Sequence, residues 1–84
     1  MFSSQKIKET VEGALPGARV EVQDLTGTSD HFRLVVVYSG FEGKRQVERH
    51  RMVYSVLGTA VGGEIHALSL VTQSPLEAEG RSHG

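Results

Sequence analysis

The sequence predicts an α+β domain in the order α-β-β-α-β with a short C-terminal helix, its three strands forming a mixed sheet with the helices on one face. Apolar residues recur at three- and four-residue spacing over residues 4–15 and again over 44–61, as amphipathic helices require. Segments 18–25, 31–39 and 65–72 instead read as strands, by period-two alternation or by β-branched and apolar runs. With 84 residues, the chain can bury one two-layer core and not two.

The first helix is capped by Ser3 or Ser4, presents Ile7, Val11, Ala14 and Leu15 as its apolar stripe, and is stopped by Pro16 and Gly17. In ARVEVQDL, Ala18, Val20 and Val22 share one face while Arg19, Glu21 and Gln23 share the other. The polar loop TGTSD leads into HFRLVVVYS, where Phe32, Leu34, Val36 and Tyr38 face one way. Val35 and Val37 face the other way, which suits a central strand covered at least in part on both sides.

After the turn GFEG, the main helix is expected over residues 44–61 and closed by Gly62 and Gly63. Val53, Tyr54, Leu57, Ala60 and Val61 fall on its apolar arc, with Lys44, Glu48, Arg51, Ser55 and Thr59 opposite. Residues 65–72 form the third strand. Ser74, Pro75 and Glu77 then supply a cap, a proline at the first helical position and a capping-box acid for a short last helix. The domain is expected over 1–77, with a disordered tail over 78–84.

A short loop between the first two strands predicts an antiparallel hairpin, and a helix between the second and third predicts a parallel pair with a right-handed crossover. Parallel neighbours start at the same end of a sheet. His31 and His66, at the starts of strands two and three, are therefore expected to lie near one another, about one strand spacing of ~4.8 Å apart. Two imidazoles so placed can reach one metal or one cluster. For His66 alone, in the apolar run EIHALSL, the other reading is a core histidine hydrogen-bonded to backbone.

Composition narrows the function. A formal charge of −1 provides no global field for nucleic acid or anionic membrane, so any basic site is local. The absence of cysteine removes disulfides and leaves histidine and oxygen as the metal donors. No segment approaches the ~20 apolar residues of a membrane span and no signal-peptide pattern is seen, so a cytoplasmic location is the expectation. An enzyme fails on inventory: there is no cysteine nucleophile, and Ser39, Ser55 and Ser69 have no recognisable base beside them.

Lys44, Arg45, Arg49, Arg51 and Met52 are the candidate partner-binding residues. The four cations read either as a solvated helix face or as a docking face for phosphates or an acidic partner, and Met52, on the polar side, suits an interface. His50, on the apolar arc, reads as a structural histidine bonded through a ring nitrogen to backbone or to Tyr54. Gly40-Phe41-Glu42-Gly43 spells the GxxG clamp of KH domains, but it directly follows a strand and carries an acid, which suits a plain turn.

HFRLVVVYSGFEGKRQVERHRMVYSVL followed by GGEIHALSLVTQSP resembles the BolA family, in an RHRMVY-like helix and an IHAL-like strand at this separation, over residues 4–77. The resemblance implies a type II KH-like fold and a partnership with a monothiol CGFS glutaredoxin. With it the chain would share a bridging [2Fe-2S] cluster, glutathione assisting on the glutaredoxin side, in iron-sulfur cluster trafficking and iron regulation. It implies His66 as a cluster ligand and a second ligand from the loop before the second strand, where only His31 is available. Imidazole binds iron only when neutral, so cluster loading is expected to fall toward acid pH. Alone, the chain is expected to hold no cofactor and to be a monomer or weak homodimer. The alternative function is a nucleic-acid-binding transcriptional regulator using the KH-like fold and the basic helix.

Overall fold

The computed structural model describes residues 3–25, 31–58 and 67–81. They form α1 (Ser4–Ala14), β1 (Arg19–Asp24), β2 (His31–Val37), α2 (Gln46–Leu57), β3 (Ala67–Gln73) and α3 (Pro75–Arg81). The sheet order is β1-β2-β3, with β1 antiparallel and β3 parallel to the central β2. This is the expected α+β architecture, and the register follows from burial. Val20, Phe32, Leu34 and Val36 are buried on one face, where they pack with Ile7 and Val11 of α1, Leu15 just after it, and Val53 and Leu57 of α2. A slip of one residue would turn this whole set to solvent.

On the opposite face the rows run Arg19–Val37–Gln73, Glu21–Val35–Val71, Gln23–Arg33–Ser69 and, at the end, His31–Ala67. Val35, Val37 and Val71 are half-buried there, while Arg19, Glu21, Gln23, Arg33 and Ser69 are exposed. The sheet thus has one face packed by α1 and α2 and one largely open to solvent.

Ser3 Oγ accepts the Lys6 N–H at 3.1 Å and caps α1. Ala14, expected in the apolar stripe, is exposed. The last-helix signature folds as expected: the Ser74 N–H donates to Glu77 Oε1 at 3.0 Å and the Glu77 N–H donates to Ser74 Oγ at 3.2 Å. α3 runs on to Arg81, so residues 78–81 continue the helix instead of opening the tail. Residues 82–84 lie outside the described residues.

α2 is shorter than its periodicity predicts. Its N-terminus is set by the Glu48 carboxylate, which accepts the Arg45 backbone N–H at 2.9 Å. It ends at Leu57 because Gly58 turns to φ 60°, ψ −136° with its N–H on the Tyr54 carbonyl. Gly62 and Gly63, expected to close it, lie outside the described residues, as do Ile65 and His66. A Cβ at Gly58 would meet nothing within 4 Å, so replacing it tests backbone strain alone. Gly58→Ala is expected to cost about 1–2 kcal/mol, read as a lower denaturant midpoint at unchanged slope.

Candidate functional site

β2 opens with His31, whose carbonyl accepts the Leu25 N–H at 2.9 Å. Its neighbour Phe32 is 1 % exposed in the core, so strand alternation sets His31 on the open face of the sheet. The residue is half-buried, and Nδ1 is its buried ring nitrogen. Across the parallel ladder His31 pairs with Ala67. His66, the other expected ligand, lies outside the described residues. Among the described residues no group of three or more His, Cys, Asp or Glu side chains is arranged to hold a metal ion.

The expected docking residues separate into two groups. Lys44, Arg45 and Arg51 are exposed and available to a partner. Arg49 is not: it is 4 % exposed and belongs to the packing of the domain. It stands four residues before Val53 and eight before Leu57, on the arc of α2 that faces the core. Its Nη1 and Nη2 donate to the two Glu77 carboxylate oxygens at 2.6 and 3.0 Å, its Nε donates to the Lys44 carbonyl at 2.9 Å, and the guanidinium lies 5.8 Å from the Phe41 ring centre. This bidentate pair pins α3 to α2.

Burial without a counter-charge would cost the guanidinium several kcal/mol, which is why the carboxylate is there. The hydrogen bond from Arg49, helped by the Ser74 N–H and by the Arg49 charge, holds the Glu77 carboxyl down to about 2 against an ordinary 4.5. The Glu77 hydrogen bond, opposed by burial, raises the Arg49 guanidinium above its ordinary value.

Met52 is likewise not the exposed interface residue expected. It is half-buried and packs against the core. His50 is half-buried, but it makes no hydrogen bond to Tyr54 or to backbone among the described residues. Tyr54 is itself 39 % exposed, where the sequence reading put it in the apolar arc. The helical repeat then places exposed Val47, half-buried His50, exposed Arg51 and exposed Tyr54 on one outward strip. Exposed Val47 was not foreseen: a single valine at the start of a charged helix carries no sequence signal of its own.

The GFEG segment is a turn. Phe41 is fully buried and meets Tyr38 edge to face at 5.3 Å, while a Cβ on Gly40 would collide with the Tyr38 ring and Gly43 adopts φ 78°. Its glycines serve this close approach and the positive φ.

These features sit in a known setting. The family model described as BolA-like protein matches residues 7–77. The chain is 34% identical over 87 residues to the DNA-binding transcriptional regulator BolA of Escherichia coli, covering 95% of this chain and 83% of that one. It is 41% identical over 51 residues to human BolA-like protein 1, covering 61% of this chain but only 37% of the longer relative. The structure of a bolA protein homologue from Coxiella burnetii superposes with a TM-score of 0.79 at 39% identity, covering 94% of this chain and 99% of that one. From the family match over most of its length, together with the shared fold, this chain belongs to the BolA-like protein family.

Proposed function

We propose that this protein is a BolA-like adaptor that binds a monothiol CGFS glutaredoxin and carries a [2Fe-2S] cluster jointly with it, as cargo in iron-sulfur trafficking and iron regulation. The observation that carries this reading is the register of β2 and β3. It sets Ala67, the residue bonded to His66, opposite His31, at one end of the sheet and beside its open face. The donor chemistry suits half a site. With no cysteine the chain offers imidazole and oxygen donors but no thiolate, and a bridging cluster needs thiolates from elsewhere, which a glutaredoxin cysteine and glutathione would supply. His66 and His31 would hold one iron of the cargo. Imidazole in place of thiolate tends to raise the reduction potential of such a cluster.

Docking falls to Lys44, Arg45 and Arg51 together with Val47 and Tyr54, an exposed mixture of cations and apolar groups suited to a protein surface. Arg49 and Met52 act through the fold. The second reading, a nucleic-acid-binding regulator, is favoured by the name of the E. coli relative. Against it stand the near-neutral chain and a GxxG turn whose Phe41 is buried and whose Glu42 is exposed.

The test is anaerobic cluster reconstitution of the chain with a CGFS glutaredoxin and glutathione, read by visible circular dichroism. A spectrum distinct from that of the glutaredoxin alone is expected. An unchanged spectrum contradicts the reading, and tight, steeply salt-dependent binding of duplex DNA would favour the second.

A further inference from the structure

A concavity of about 490 Å³ lies across β1, lined by Lys8 of α1, by Glu21, Val22 and Gln23 of β1 and by Arg33 and Val35 of β2. Its polar side chains come from three elements. Gln23 and Arg33 are partners across the β1–β2 ladder, Glu21 and Val35 form the next row of the same face, and all four belong to the open face of the sheet. Lys8 arrives from the other side, since it follows buried Ile7 on α1, the helix that packs the opposite face. Val22 and Val35 are half-buried and give the concavity an apolar floor.

The charges single out this place. Lys8, Glu21 and Arg33 are all exposed, and none of them forms an ion pair or a side-chain hydrogen bond among the described residues. Glu21 and Arg33 are diagonal neighbours on adjacent strands, at the ~7–8 Å spacing that long side chains can close, yet no ion pair joins them.

We propose that the concavity binds a small peptide-like zwitterion carrying two carboxylates and one ammonium. Arg33 takes one carboxylate in a bidentate grip, Glu21 beside it takes the ammonium of the same amino-acid head, and Lys8 takes the far carboxylate. Two cations and one anion in the wall meet two anions and one cation in the ligand. Val22 and Val35 lie under the connecting chain, and Gln23, next to Arg33, offers its amide to a peptide group. Length follows from placement: Arg33 stands on the central strand and Lys8 on a helix beyond the edge strand, more than one ~4.8 Å strand spacing away. Two or three residues at ~3.5 Å each cover that span, and a single amino acid does not. The charged side chains stay largely in water, so binding is weak, in the millimolar range.

Nitrogen–proton correlation spectra of the full chain titrated with S-methylglutathione, its N-acetyl derivative and L-glutamate test this. The first has two carboxylates, one ammonium and a blocked thiol, which keeps metal and disulfide chemistry out of the experiment. The second lacks the ammonium, and the third is one residue long. S-methylglutathione is expected to shift the amides that line the concavity, and the other two to bind at least fivefold more weakly. Arg33→Gln is expected to weaken S-methylglutathione at least fivefold. Glu21→Gln is expected to weaken it too but to tighten the N-acetyl derivative, a change of sign that a merely structural side chain would not give. Both positions are exposed, and unchanged amide shifts elsewhere verify folding.

No localised shift at tens of millimolar S-methylglutathione overturns the proposal, as do shifts scattered over the whole surface. Equal binding of the N-acetyl derivative by the wild type, or a Glu21→Gln that weakens both ligands alike, overturns it as well.

Discussion

Replacing Arg49 by alanine is expected to cost about 2–4 kcal/mol and to lower the melting temperature by on the order of 10–20 °C. Three losses combine. The cation leaves the Phe41 ring, the Lys44 carbonyl loses its donor, and α3 loses its tie to α2. The figure lies toward the low end for a buried pair because the Glu77 side chain keeps 47% of its surface and rehydrates once alone. Glu77→Gln acts differently, leaving the Arg49 charge buried without its counter-ion, and it too is expected to destabilise. Arg49→Ala should cost less in the Glu77→Gln background than in the wild type, and equilibrium unfolding of the four proteins measures that coupling.

The pair also predicts a pH window. The Glu77 carboxyl is held down to about 2 in the folded chain against an ordinary 4.5, so folding favours its ionised form. Its contribution is complete above about pH 4.5 and is lost as the pH falls through about 2. Urea midpoints followed from pH 6 down to pH 2 are expected to fall in the wild type more steeply than in Glu77→Gln. Equal slopes would mean that the pair does not set the acid limit of the fold.

Strand order, strand faces and the last helix's cap were legible because each rests on local chemistry: alternation in RVEVQD and HFRLVVV, and a serine three residues before a glutamate at Ser74 and Glu77. What failed depended on other elements. Periodicity carries α2 through Ala60 and Val61, but one backbone rotation at Gly58 ends it earlier. A helical wheel assigns arginine to solvent by type, and only a carboxylate arriving from α3, 28 positions later, makes Arg49 an interior residue. The position of Arg49 four residues before Val53 was the available clue. Met52 and Tyr54 changed places for a related reason: the core-facing arc of α2 runs through Arg49, Val53 and Leu57, with Met52 and Val56 at its margin and Tyr54 outside it.

For the candidate site, connectivity was readable and ligation was not. A helix between β2 and β3 implied a parallel pair, and a parallel pair implied that their first residues meet, as His31 and Ala67 do. A histidine's use as a ligand depends on what supplies the remaining donors, and in the proposed complex those would lie on another molecule.

The effect of largest consequence concerns those donors. Substituting His66 in the reconstituted complex tests cluster sharing most directly, by comparing the visible circular dichroism of wild type, His66→Ala and His31→Ala mixed with a CGFS glutaredoxin and glutathione. His66→Ala is expected to abolish the shared-cluster spectrum and return that of the glutaredoxin alone, while His31→Ala, removing the second imidazole, is expected to weaken cluster retention. A wild-type spectrum that survives His66→Ala unchanged would contradict it.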